Sequence, residues 1–202
     1  MKGKGKSGGG CFKTVIFIDN GNTGSMGWYG EAGAGFCLVP VKTRMSHHVK
    51  PHKIKAVDGP ALSNLISDII KQTGHGKKNV IVCRERPMIN PKRWKASLSA
   101  SRSDEAETIV LEAAGIPFIY VDSKTWQHGT LPSSGAKGVT SSTLKAESMA
   151  EGLRLFPEFS ALIKKHKDAD GILGARVMYD ILNRRGREEG GGDEGGNDHG
   201  KP

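Results

Sequence analysis

The chain has 202 residues and a formal net charge of +9, enough length for about one domain with a sizeable core. Three scattered cysteines, Cys11, Cys37 and Cys83, form no CxxC pair, which argues against a disulfide framework and a zinc site. No apolar run is long enough to span a membrane and no secretory leader is evident, so a cytoplasmic, reducing setting is expected.

Residues 1–10, MKGKGKSGGG, and residues 186–202 are too poor in apolar side chains to offset the entropy of ordering, and both are expected to be disordered. Residues 11–185 are then the folded domain. The first arm carries +3 and the tail −3, so the whole +9 falls on that domain. A core this basic points to a polyanionic partner.

In chain order, CFKTVIFID (11–19) reads as a β-branched and aromatic strand. A second strand is expected near residues 35–41, GFCLVPV, and a third in HKIKAVD (52–58), with Gly-rich turns joining antiparallel neighbours. Leu62, Leu65, Ile66, Ile69 and Ile70 recur at helical spacing and stop at Gly74. NVIVCRE (79–85) is short and continuously apolar, as in a central strand covered on both faces. A loop rich in Pro and Arg follows. Ser103 then reads as the N-cap of a helix ending at Gly115, before a fifth strand in IPFIYVD (116–122). Residues 127–142 are loop-like by composition, and two helices close the domain, the last from about Asp168 to Arg184. The order β-β-β-α-β-α-β-α-α predicts an α/β fold: a mixed five-stranded sheet with helices on both faces and strand one beside strand four.

Acids stand at three stations of that plan. Asp19 ends the first strand and is followed by Asn20, Gly21, Asn22, Thr23 and Gly24; Glu85 ends the fourth; Asp168 and Asp170 open the last helix. Each has an ordinary explanation, a strand end reaching solvent or a capped helix N-terminus. Together they are more specific. Clustered carboxylates repel and raise one another's pKa values. A hard divalent cation removes that penalty, and Mg²⁺ prefers oxygen ligands. Two such ions about 4 Å apart activate water and stabilise a leaving oxygen in phosphodiester hydrolysis. Residues two apart on a straight helix point about 200° from each other, so Asp168 and Asp170 can share a site only if Asp168 lies at or before the N-cap.

Lys92, Arg93, Lys95 and Arg102 surround Trp94 in NPKRWKASLSASRS. The cations suit phosphates and the indole suits an unpaired base; the plainer alternative has Trp94 in the core and the charges solvated. Trp126 and Phe156 read as packing. His47, His48 and His52 read as a basic surface loop.

FIDNGNTGSMGW, VCRERPM and DADGILGA, in this order of strands and helices, resemble the RuvC-like Holliday junction resolvases of the ribonuclease H-like superfamily. ERPMINPKRWKASLSASRS and VDSKTWQ resemble the bacteriophage-encoded versions, over roughly residues 13–184. The resemblance implies a homodimeric endonuclease, dependent on two Mg²⁺ ions with Mn²⁺ as a substitute, that nicks branched DNA such as four-way junctions. It implies Asp19, Glu85 and Asp170 as metal ligands and catalytic residues. Asp168 is the fourth, with His166 as its alternative because it lies four residues before Asp170. Lys145 resembles a basic position near the scissile phosphate, an ordinary surface lysine being the plainer reading. Gly174 departs from the larger apolar residue of many relatives. Three rivals stand beside this reading: an actin/Hsp70-like nucleotide-binding protein suggested by DNGNTG, a non-catalytic DNA-binding relative, and an enzyme acting on RNA–DNA hybrids.

Overall fold

The computed structural model describes residues 12–45 and 53–190. The arm 1–10, most of the tail, and His47, His48 and His52 lie outside the described residues. Five strands form the main sheet: β1 (Thr14–Ile18), β2 (Ser25–Gly30), β3 (Gly33–Leu38), β6 (Val80–Glu85) and β7 (Phe118–Val121). Their order is β3-β2-β1-β6-β7. β1 runs antiparallel to β2 and parallel to β6, and β7 is parallel to β6. This is the mixed five-stranded sheet expected from the sequence, with strand one beside the fourth strand of the sheet.

Alternation along the two central strands sorts the core into two layers. Ile16, Ile18, Val80 and Val82 meet α1 (Gly59–Gln72) and α2 (Trp94–Ala114) through Leu62, Ile66, Ile69 and Leu111. Val15, Phe17, Ile81 and Cys83 face the other way, onto α6 (Asp170–Gly190) and the short α3 (Ser123–Gln127) through Ile172, Leu173, Ala175 and Trp126. All five β1 side chains are buried. α4 (Ser141–Leu155) and α5 (Ser160–His166) complete the α6 layer. Among the described residues no helix is long and apolar enough to cross a membrane.

Several assignments differ from the sequence expectation. Residues 25–30 form β2, where Gly24, Gly27 and Gly30 suggested a turn. Gly27 serves packing instead: a Cβ on it would lie 2.5 Å from the Gly171 carbonyl oxygen and the Ile172 backbone, where α6 crosses the strand. The segment expected as the third sheet strand is β5 (Lys53–Val57), paired with β4 (Val41–Met45) in a separate two-stranded ribbon. β3 takes the place expected of the second strand, at the sheet edge. Ser103 is not an N-cap; α2 starts at Trp94, and Ser103 is buried in its middle. Its serines hid the helix because they favour caps and turns when unpartnered, whereas here Ser103 Oγ donates to Asn22 Oδ1 at 3.1 Å and Ser99 Oγ accepts from Asn22 Nδ2 at 2.7 Å. The last helix begins at Asp170, two residues later than expected, and its backbone stays helical to Gly190.

Residues 128–140, read as a loop, are a run of turns tied to the body by buried Leu131 and by a hydrogen bond from the Ser133 N–H to Glu147 Oε2 at 3.1 Å. Gly174, the departure noted above, has a packing reason: a Cβ there would come within 2.6 Å of the buried Phe17 ring. Its absence lets α6 lie close on β1.

Candidate active site

The position of Asp19 follows from strand parity. Val15 and Phe17 point to the α6 layer, so residue 19 continues that side; Ile81 and Cys83 do the same for Glu85. The parallel register pairs Ile18 with Arg84, which sets Asp19 alongside Glu85. The chain after Asp19 folds into a tight turn. The Gly24 N–H donates to the Gly21 carbonyl at 3.0 Å, and the Asp19 N–H to the Ser25 carbonyl at 3.0 Å. A Cβ on Gly24 would collide with the Asp19 carbonyl oxygen, so that glycine serves the turn itself.

Helix α6 brings the third acid. Gly27 and Gly171 allow its first turn to touch the β2 backbone, and Ser25 Oγ accepts from the Gly171 N–H at 2.9 Å, capping the helix from another element. Asp170 is the first helical residue and Asp168 lies before it, the one placement that lets both carboxylates face the same site. Lys167 makes this possible. It adopts φ 71°, a left-handed conformation that closes α5 and turns the chain inward. The turn also corrects one expectation: His166 ends α5 and does not share a helical face with Asp170. It reaches the site through Asp168 instead, with Nε2 3.2 Å from Asp168 Oδ1, within ion-pair range but off the hydrogen-bond axis.

Protein donors hold these carboxylates. Lys145 Nζ donates to Asp168 Oδ2 at 3.1 Å, while half of the lysine side chain remains in solvent. Buried Ser148 donates to Asp170 Oδ1 and accepts from the Ala169 N–H at 3.0 Å. Trp126 Nε1 donates to Glu85 Oε2 at 3.1 Å, and its ring meets Phe17 edge-on. Trp126 is therefore core packing, as expected, and also an orienting donor. Neither Ser148 nor this second role of Trp126 was legible in the sequence; a lone Ser inside an amphipathic helix carries no signal of a partner 22 residues away.

The electrostatics mark the same cluster. Burial, then Asp170, Glu85 and Asp168, push the Asp19 carboxyl well above the usual carboxylate range. Burial raises Glu85 to about 7, with Trp126 opposing and Asp170 adding to the rise. Burial and then Asp168 raise Asp170 to about 6 against Ser148, Lys145 and His166. Asp168 is the exception. Burial alone would raise it, yet its contacts with His166 and Lys145 hold it below the ordinary value. Lys145 is raised, since its acidic neighbours outweigh its partial desolvation.

Asp19, Glu85, Asp168 and Asp170 thus lie in one electrostatically coupled cluster, with Lys145 at the rim. Their hard oxygen donors, and a mutual repulsion that Lys145 and His166 only partly offset, fit a divalent cation in charge and chemistry. In the conformation described they lean on protein donors, and among the described residues no three His, Cys, Asp or Glu side chains are already arranged around one point as metal ligands. Asn20, next to Asp19, has a buried side-chain amide with no hydrogen-bond partner among the described residues.

The basic stretch leaves the same end of the sheet, since residues 86–93 run directly from Glu85 to α2. Lys92, Arg93, Lys95 and Arg102 are exposed. Trp94 is 60% exposed, so it does not plug the core, and Lys95 Nζ lies 5.9 Å from its ring centroid. The loop is lashed to α2 by a 2.8 Å hydrogen bond from the Asn90 N–H to Ser97 Oγ. Phe156 is buried, as expected of packing.

No family model and no curated protein matches the chain. Among solved structures it is similar to T. thermophilus RuvC in complex with Holliday junction substrate, at 11% identity and a TM-score of 0.44, covering 88% of this chain and 96% of that one. It is also similar to a Thermus thermophilus RuvC structure at 14% identity and a TM-score of 0.41, covering 85% and 95%. At these scores the likeness carries no inference about activity.

Proposed function

We propose that this protein is a divalent-cation-dependent DNA endonuclease acting on branched DNA, four-way junctions included. The observation that carries the reading is the meeting of Asp19, Glu85 and Asp170, from two adjacent strand ends and the last helix, in one desolvated cluster with Lys145 beside it. Three carboxylates whose pKa values stay raised despite the Lys145 ammonium beside them are costly unless a ligand offsets the remaining repulsion.

Asp19, Glu85 and Asp170, with Asp168, are the residues that would hold Mg²⁺ or Mn²⁺, which when bound neutralises phosphate charge and lowers the pKa of a bound water. Ser148 and Trp126 orient Asp170 and Glu85, restricting the carboxylates to the shared face. The Lys145 ammonium sits where it can meet an incoming phosphate, and negative charge developing there is stabilised by a fixed cation. Lys92, Arg93, Lys95 and Arg102 supply sequence-independent phosphate contacts, and the exposed Trp94 indole offers a stacking face at a branch point. Homodimerisation, the phage-type assignment and the choice of Mg²⁺ belong to this same reading.

A gel assay of a mobile four-way junction, a fork, linear duplex and an RNA–DNA hybrid, each with Mg²⁺, Mn²⁺ or chelator, tests it. Cation-dependent cleavage of the junction above linear duplex is the expected result. Cleavage of the hybrid alone would reassign the substrate, and binding without cleavage in every metal would leave a scaffold rather than an enzyme.

A further inference from the structure

The β4–β5 ribbon is unused by the site and differs from the rest of the molecule in its charge. Its described residues carry Lys42, Arg44, Lys53 and Lys55 and no acid. Lys42 is tied down, 3.6 Å from the α1 N-cap residue Asp58. Arg44, Lys53 and Lys55 are exposed and form no ion pair among the described residues. Lys53 and Lys55, two residues apart on a strand, share one face at a separation of about 7 Å, and Arg44, opposite Ile54, faces the other way.

This ribbon is not a loose hairpin. At its base Val57 is buried in the core beside Val39 and Leu62. Asn22, three residues after Asp19, donates from Nδ2 to the Lys55 carbonyl at 2.9 Å. The same amide group reaches Ser99 Oγ, while Asn22 Oδ1 accepts from Ser103. One side chain therefore joins the ribbon, the turn after the candidate catalytic acid, and the helix whose first turn bears Trp94 and Lys95. The cations of the ribbon are held in register with the acid cluster, and they continue the basic surface of α2.

We propose that the β4–β5 ribbon grips the sugar–phosphate backbone of a duplex DNA arm, placed by Asn22 relative to Asp19. The proposal rests on the nuclease reading above. Lys53 and Lys55 share their face with Thr43 and the exposed Met45, and exposed Lys and Arg suit phosphate contacts, which position a duplex without reading its sequence. A protein partner would call for buried apolar anchors instead.

The test measures binding by fluorescence anisotropy in the non-cleaving Asp19→Asn protein, on a four-way junction, a linear duplex and a single strand, across a salt series. The ribbon variant is Arg44→Gln/Lys53→Gln/Lys55→Gln, compared with the charge-preserving Arg44→Lys/Lys53→Arg/Lys55→Arg. If each cation neutralises one phosphate, the log–log salt slope falls by about 2.7, so from roughly 50 to 200 mM salt the parent loses about 40-fold more affinity than the Gln variant. The expected result is that loss of slope and affinity on junction and duplex, with the charge-preserving variant near the parent. An unchanged slope, a loss confined to the single strand, or an equal loss in the charge-preserving variant would overturn the ribbon assignment while leaving the nuclease reading intact. Failure of the Asp19→Asn parent itself to bind any of the three DNAs would overturn both.

Discussion

Strand β6 ends with two charged residues that face opposite ways, and their surroundings differ in kind. Arg84 is fully buried on the α2 side. It donates to Glu107 Oε2 at 3.2 Å, to Asp104 Oδ1 at 2.6 Å and to Thr108 Oγ1 at 2.7 Å, and its guanidinium lies over the Phe118 and Tyr120 rings. Glu85, the next residue, enters the acid cluster on the α6 side. Burial raises Glu107 to about 7, the same value as Glu85, so a shifted pKa alone does not separate the two regions. The balance of charge does. Glu107 is opposed chiefly by Arg84, whereas Glu85 has one neutral donor, Trp126, and another acid nearby. An acid opposed by a buried guanidinium belongs to the scaffold; acids that outnumber the one half-exposed lysine and the histidine beside them are the stronger candidates for a ligand site.

The largest expected effect breaks the acidic side alone. Asp19→Asn removes a ligand from a site asked for several kcal/mol of transition-state stabilisation, so cleavage falls by about 10³-fold or more. Junction binding holds or tightens, because a negative charge is also lost. Single-turnover kinetics together with a binding titration would check this, and a cleavage rate near wild type would refute the assignment of the acids.

The Arg84 side should break differently. Arg84→Ala leaves Glu107 and Asp104 without their cation and is expected to cost about 3–5 kcal/mol, read by urea denaturation. Replacing Arg84 and Glu107 together by Met and Leu should recover most of that loss. If the double variant were no more stable than the single one, the network would be more than a buried ion pair.

Orienting donors come next. Ser148→Ala should slow cleavage by about 10–100-fold, the range typical of groups that position metal ligands, and cost about 1–3 kcal/mol of stability by leaving the buried Ala169 N–H unpaired. Trp126→Phe keeps an aromatic ring in the core, with a small cavity where the indole was, and removes the donor to Glu85; the same range is expected. A change in apparent Mg²⁺ affinity, measured at each pH, separates orientation of ligands from general destabilisation.

The smallest effect is in stability against pH. Glu85 and Asp170 titrate at about 7 and about 6 in the folded chain, above the ordinary 4.5 and 3.8. The metal-free folded state therefore holds more protons than the unfolded one through this window. Their contribution is fully present below the ordinary values and is lost as pH rises through about 6 to 7. Glu107 adds a loss of the same sign, while Asp168, whose pKa is lowered, contributes stability that is lost only as pH falls below the ordinary carboxylate range, outside this interval. Thermal melts should fall across that interval. Mg²⁺ should restore the part due to Glu85 and Asp170 and leave the Glu107 part, which Glu107→Gln would remove. A melt in which Mg²⁺ erased the whole slope would place Glu107 in the cation site as well.

Legibility divides along similar lines. The central strands were readable because a strand covered on both faces must be continuously apolar, and Val15–Ile18 and Val80–Cys83 are. Their closing acids stood out against that background, as did the amphipathic pattern of the final helix. Strand β2 and the first half of α2 were not readable. The glycines of one and the serines of the other signal turns locally, and their roles depend on chain that arrives later: Gly27 on Gly171, Ser103 on Asn22.

Residue order alone thus offered the acids that could meet, since a charge closing a continuously apolar strand or opening an amphipathic helix is a local signal. How they meet was settled by long-range contact. Ser25 caps a helix 146 residues further on, glycines let that helix touch the strand, and the left-handed Lys167 turns Asp168 inward. Local pattern records backbone preference and burial, but a cap, a close crossing and a charge partner are each completed by a residue from elsewhere in the chain.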